Sequence, residues 1–429
     1  MEFRSSDPAH AGRVVRLGYC LNLHPSETLD DVRAAIEGTV APLRARLAPD
    51  GSFGVGLYLG AGPAHELVTD PTALAGFATL LESHGVDPFT FNAFPIGGFQ
   101  EDGLKERVYA PDWTTDERLR YTIEVARAAA ALVPRGRVVS ISTHPGAYGP
   151  TVTDRSMLRR AGEQLGRAVK ELARLEAGRG VRIVLSLEAE PDASARNTRA
   201  VAETLVFAHL VGGRVLQDEL QKTPDEAAAL MRRHLGVCLD ACHSAVEFED
   251  AEDAVALAAD PGPLGKIQFS SALRLENPGD APAERAGLLD LDEPRFLHQV
   301  TGIGVDPERP RGFAHLPDLP ALKERVEAGD GAWLGAGEWR CHFHVPIHAK
   351  RHTVAGGAAL GTTVDHADAV LAAALARRDT WLDDELHVEL ETYTWGVLEG
   401  AEDRDLVDEL EAEYGHVVSA LGRAGFERA

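Results

Sequence analysis

Along the 429-residue chain, short β-forming runs recur between longer stretches of helical period. That order predicts a parallel sheet with crossover helices. The predicted strands are 18–24, 53–59, 89–94, 138–144, 181–188, 235–240, 266–272, 340–345 and 386–392. Nine runs are one more than an eight-stranded barrel uses. Segments rich in Ala, Leu, Arg and Glu lie between them, at 28–47, 116–132, 155–176, 245–259 and 365–376. Thr28 with Asp31, and Thr114 with Glu117, are spaced as helix N-terminal caps.

Splitting each run by parity separates two faces, because side chains alternate across a strand. One face is apolar, as in Phe53, Val55 and Leu57, or Ile183, Leu185 and Leu187. The other is small or polar, and its polar groups gather at the C-terminal ends: Asn22, His24, Asn92, His144, Glu188, Asp240, Gln268, His342, His344 and Glu391. An open doubly wound sheet buries both faces under helices and reads apolar on both. A single apolar face suits a closed (β/α)₈ TIM barrel with active-site groups at the carboxyl mouth. The absence of G-x-G-x-x-G after the first run agrees.

No fixed-period repeat and no long polar linker interrupts the pattern, so residues 1–429 read as one domain. The rhythm breaks only at 274–337, which is rich in Pro, Gly and Asp with one short helical stretch at 319–328. Loops of that length in compact domains serve as lids or binding loops, so the expectation is a barrel with one extra strand and an active-site lid at 274–337.

Composition narrows the partners. With 43 Lys plus Arg against 67 Asp plus Glu, the formal charge is −24. Nucleic-acid binding needs a basic footprint that this chain lacks. No apolar run is long enough to span a membrane, and residues 1–8 carry charges where a signal peptide is apolar. The expectation is a cytoplasmic protein with a small-molecule partner and no membrane insertion; the oligomeric state is not legible. Cys20, Cys238, Cys242 and Cys341 are too few and scattered for a disulfide framework, and with His243 they match no zinc-finger spacing, so they read as buried thiols.

Carboxylates pointing into a barrel are costly unless paired or metal-bound. Glu188, Asp240 and Glu391 end three runs, and His342 and His344 share one face of another. This mixed set suits a divalent ion of the Mn²⁺, Mg²⁺, Zn²⁺ or Co²⁺ type. His24, Asn92, His144, His243, Gln268, Tyr393 and Trp395 are the candidates for lining a substrate pocket around it.

Leu-Glu-Ala-Glu at 187–190, Gly-Val-Cys-Leu-Asp-Ala-Cys-His at 236–243, Glu-Thr at 391–392 and His-Pro-Gly at 144–146 resemble the xylose-isomerase-like barrels. That superfamily holds sugar phosphate isomerases, epimerases and a related endonuclease type. More narrowly, Tyr-Cys-Leu-Asn-Leu-His-Pro at 19–25, Phe-Pro-Ile-Gly-Gly-Phe at 94–99, Val-Tyr-Ala-Pro-Asp-Trp at 108–113, Ser-Ser-Ala-Leu at 270–273, His-Phe-His-Val-Pro at 342–346 and Glu-Thr-Tyr-Thr-Trp at 391–395 resemble EboE, the bacterial metabolite traffic family. The superfamily resemblance implies a divalent metal held by Glu188, Asp240, a His and Glu391, with Glu188 and Glu391 as catalytic acid and base. Where most such epimerases have His on the seventh strand this chain has Gln268, so the imidazole falls to His342 or His344. The EboE resemblance implies a gene cluster with prenyltransferase-like and cyclase-like neighbours, and a polyhydroxylated ring or sugar-derived metabolite.

Three functions fit this reading. The first is metal-dependent isomerisation or epimerisation of a sugar-like or cyclitol-like metabolite through an enediolate. The second is hydrolysis of a small phosphoester by metal-activated water. The third is non-catalytic metabolite binding.

Overall fold

The computed structural model describes residues 1–5, 11–99, 103–149, 155–305, 312–354, 356–377 and 381–429. Eight strands run parallel: β2 (Val14–Cys20), β3 (Phe53–Tyr58), β4 (Val86–Asn92), β5 (Val138–Thr143), β6 (Arg182–Glu188), β7 (Leu235–Asp240), β8 (Leu264–Phe269) and β15 (Glu385–Leu390). Each pairs with the next, and β15 closes on β2 with Val388 opposite Leu17. The chain is therefore a (β/α)₈ TIM barrel. Two short strands, β1 (Glu2–Ser5) and β16 (Phe426–Arg428), extend the sheet antiparallel beside β2.

The apolar face of each strand turns outward onto the helices. Val55, Leu57, Ile183, Leu185, Val237 and Val388 share one core with Val125, Leu172, Leu205 and Leu410 from the surrounding helices. The inner face carries Ser140, Ser186, Lys266, Gln268 and Glu389, all fully buried. Small residues make room for the large ones: a Cβ on Gly56 would lie 1.4 Å from Glu389 Oε1. At Thr28 the capping box with Asp31 forms as the spacing predicts. At the other site the cap moves by one residue. Asp112 Oδ1 accepts the N–H (2.8 Å) and O–H (2.6 Å) of Thr114, so Thr115 caps Asp116–Leu132 instead.

Three expectations change. The first barrel strand lies earlier than 18–24, since the chain turns into a 3₁₀ helix at Leu21–Leu23. The run at 340–345 belongs to β12 (Glu338–Val345) and is not a single extra strand. It joins β9 (Ser271–Glu276), β10 (Val300–Ile303), β11 (Phe313–Leu316), β13 (Arg351–Thr353) and β14 (Ala359–Thr362) in a six-stranded antiparallel sheet. Finally, 274–337 is not irregular with one helix. It contributes half of β9, all of β10 and β11, and helices Pro282–Leu289, Leu319–Glu327 and Gly331–Leu334; residues 306–311 within it lie outside the described residues. Leu273, Leu288, Val300, Trp333, Trp339 and Phe343 give this sheet its own apolar core. Only Ser270 separates β9 from barrel strand β8, so the second sheet grows from the barrel mouth.

Candidate metal centre

Three carboxylates arrive at the mouth for the same reason. Glu188 and Asp240 are the last residues of β6 and β7, and Glu391 follows β15 by one. Parallel strands of one barrel deliver their carboxyl ends to one rim, and oxygens of all three lie within 4.8 Å of one another, buried. Three imidazoles come from different elements. His342 and His344, two apart on β12, point to the same side. His243 lies on the short helix Ala241–Val246, whose first turn is fixed by Asp240: its Oδ1 accepts the His243 backbone N–H at 2.9 Å.

Hydrogen bonds settle which ring nitrogens face the site. His243 Nδ1 is 2.5 Å from the Ala189 carbonyl, and His342 Nδ1 is 2.9 Å from that of Leu297. His344 Nδ1 lies 3.1 Å from the Glu391 carbonyl and 3.0 Å from Ser270 Oγ. A carbonyl oxygen only accepts, so each Nδ1 carries a proton toward it and Nε2 is the nitrogen that faces the site. Those three Nε2 atoms converge, at 3.0 Å (His243 to His342), 3.2 Å (His243 to His344) and 2.9 Å (His342 to His344). Lone pairs meeting without a proton repel, whereas imidazoles sharing one ion at about 2.0–2.1 Å sit about 3 Å apart. Burial, followed by the neighbouring imidazoles, holds His342 well below the usual histidine range. Burial also brings His344 down to about 4, with the Asp240 charge opposing it. Both therefore stay unprotonated, as ligands must. The donor set fits a borderline divalent ion of the Zn²⁺ type.

The carboxylates divide electrostatically. Burial, then the charge of Asp240, pushes Glu188 well above the usual range. Burial, then Glu188 and Asp240, does the same to Glu391. Burial would raise Asp240 too, but His243 and His344 outweigh it and hold the group below its ordinary value. Asn22 Nδ2 donates to Glu391 Oε1 at 2.7 Å, while Glu391 Oε2 and Asp240 Oδ2 are buried without a hydrogen-bond partner. Oxygens of this kind need a proton or a cation.

The expected ligands lie close enough for several donor sets, among them Glu188 with Asp240 and Glu391, and Asp240 with His243 and His344. His344 Nδ1 faces Asp240 Oδ2 at 3.9 Å and Glu391 Oε2 at 3.8 Å, whereas its Nε2 faces the other two rings. A pocket opens above these donors. Asn92, His243 and Tyr393 line it, and Tyr393 stacks on His344 at 4.5 Å. The other pocket candidates are placed elsewhere. His24 Nε2 pairs with Tyr19 Oη at 3.1 Å, His144 is buried against Phe94 and Tyr109, and Gln268 Oε1 accepts from Cys238 Sγ at 3.1 Å inside the barrel. Trp395 is buried outside the lining. All four cysteines are free and buried.

The structure adds Asn22, Glu190, Tyr58, Tyr109 and Phe296 to the lining. Asn22 already stood on the polar face of its run. Phe296 follows Pro294 and Arg295 in a loop with no periodicity to mark it.

Fold and donors together define a (β/α)₈ barrel with a candidate divalent-metal centre at the carboxyl ends of its strands. Among solved structures, the chain is similar to the IolI protein with a bound zinc atom, at 10% identity over 95% of this chain and 99% of that one, TM-score 0.42. It is also similar to an L-ribulose 3-epimerase (13%, 96% and 95%, TM-score 0.43). A third is a xylose isomerase domain protein from Planctomyces limnophilus (12%, 90% and 92%, TM-score 0.40). No protein-family model matches the chain, and no curated protein matches it. Among the described residues, no helix is long and apolar enough to cross a membrane.

Proposed function

We propose that the chain is a divalent-metal-dependent isomerase or epimerase of a small sugar-like or cyclitol-like hydroxy-carbonyl metabolite. The observation that carries this reading is the meeting of Glu188, Asp240 and Glu391 at one rim, all buried, with oxygens of the three within 4.8 Å of one another. Neighbouring carboxylates of this kind share protons, so one is ionised while the other is protonated. A bound ion would polarise the carbonyl as a Lewis acid.

The ionised glutamate removes the proton between carbonyl and hydroxyl, giving an enediolate. Its protonated partner returns a proton to the opposite face of that carbon, or to the neighbouring carbon, in which case the hydroxyl proton also passes from one oxygen to the other. Asn22 anchors Glu391 by Oε1, which leaves Oε2 for proton transfer. Within 274–337, Arg295, Phe296 and Leu297 line the cavity and would act as the lid. The short segments resembling EboE support a place in that type of pathway, in the cytoplasm.

The number of candidate donor sets at the mouth supports a second reading. Two cations per chain would suit hydrolysis of a small phosphoester. Elemental analysis of the purified chain separates the two, because one ion supports the isomerase and two or three the hydrolase. A product assay completes the test: ketoses and cyclitol ketones incubated with metal-loaded protein are followed by NMR for a new epimer or isomer. A carrier would bind such a compound, leave it unchanged, and keep its affinity in Glu391→Gln.

A further inference from the structure

The cavity has two chemically distinct ends. Its floor holds the carboxylates and imidazoles, and above the floor aromatic rings gather on walls that also carry Asn92, Glu190 and Arg295. Phe99, Phe296 and Tyr393 pack with ring centroids 4.9–5.0 Å apart. Phe94, also in the lining, packs on Tyr109 at 5.3 Å. Val108 joins the two clusters.

Polar groups that would be expected in these walls are engaged by protein. Tyr58 Oη donates to the Gly97 carbonyl at 2.8 Å, and Tyr109 Oη to that of Pro191 at 2.8 Å. The Lys105 ammonium is 2.5 Å from Asp318 Oδ2. The tyrosines therefore offer ring surface and the lysine is already neutralised.

A free polyol would be poorly matched to such walls, since each hydroxyl turned from water toward carbon loses hydrogen bonds it cannot replace. The geometry points to an amphiphilic substrate: a hydroxy-carbonyl head at the floor, carrying an apolar aryl or alkyl body that fills the aromatic walls. The inference rests on the proposed reaction for the identity of the head, and on the walls alone for the body.

The test holds the head constant and varies the body. Hydroxyacetone, 2-hydroxyacetophenone and a 1-hydroxy-2-alkanone series are titrated into the metal-loaded full chain by calorimetry, with D-fructose as the free polyol. Affinity should rise about fourfold per added methylene until the walls are filled. 2-Hydroxyacetophenone should bind at least about tenfold tighter than hydroxyacetone. Phe296→Ser should weaken the aryl compound at least about fivefold and more than it weakens hydroxyacetone. Melting curves confirm that the variant is folded, and Phe99→Leu is the substitute if it is not.

Equal affinity along the series, or tighter binding of D-fructose, overturns the inference even if isomerisation of a ketose is observed. A rising affinity without any proton exchange upholds it and counts against the proposed reaction instead.

Discussion

Lys266 Nζ lies 2.6 Å from Glu389 Oε2 inside the barrel, with both side chains fully buried. The amine also donates to the Phe91 carbonyl at 3.3 Å. It is the cation that opposes the rise in proton affinity at both Glu188 and Glu391, so this pair couples the barrel core to the site.

Removing one partner leaves the other charged and uncompensated away from water. Lys266→Met should therefore destabilise the chain by about 3–5 kcal/mol in urea unfolding. The double replacement Lys266→Met with Glu389→Leu should recover much of the loss, because no buried charge remains. A loss below about 1 kcal/mol for the single change would show that water or a neighbouring group compensates Glu389.

A pH dependence follows from the opposite end of the barrel. Glu385 accepts two hydrogen bonds from Arg16, at 2.5 and 2.9 Å. Burial would raise its pKa, but His387 and Arg16 outweigh burial and hold the carboxyl well below the usual range. A depressed acid contributes stability that is complete above its unfolded value of about 4.3 and is lost as pH falls toward the folded value. Unfolding midpoints measured from pH 6 to pH 3 should fall less steeply in Glu385→Gln than in the parent chain. Parallel curves would remove Glu385 from the acid response.

The imidazole triangle predicts a ranking of metal affinities. His243→Ala and His342→Ala should each weaken zinc binding by about a hundredfold or more in chelator competition. Gln268→Ala and His144→Ala should leave it within about threefold, since neither residue lines the cavity. If Gln268→Ala were as damaging as His243→Ala, the imidazole set would not be the zinc site.

Much of this was legible in the chain. Parity alone separated the helix-facing residues from the polar mouth, because a barrel strand has one apolar face, and it brought Glu188, Asp240 and Glu391 to one rim. It placed Gln268 and His144 on the same face but carried no depth along the strand, so it did not distinguish the barrel interior from the cavity. His243 owes its place to the helical turn that Asp240 caps, which strand alternation does not describe. The second sheet was hidden for another reason. β10 and β11 have four residues each, and β10 meets its other partner, β12, only at Glu338–Cys341, so runs this short are hard to distinguish from loop.

The central claim is that Glu188 and Glu391 move a proton at the carbon between carbonyl and hydroxyl. Deuterium uptake from D₂O at that carbon, followed by NMR with 2-hydroxyacetophenone, its alkyl homologues bearing an exchangeable proton, ketoses and cyclitol ketones, tests it most directly. The account predicts uptake that needs added metal, stops with a chelator, and disappears in both Glu188→Gln and Glu391→Gln. Uptake from none of the panel, or undiminished uptake in Glu391→Gln, would contradict it.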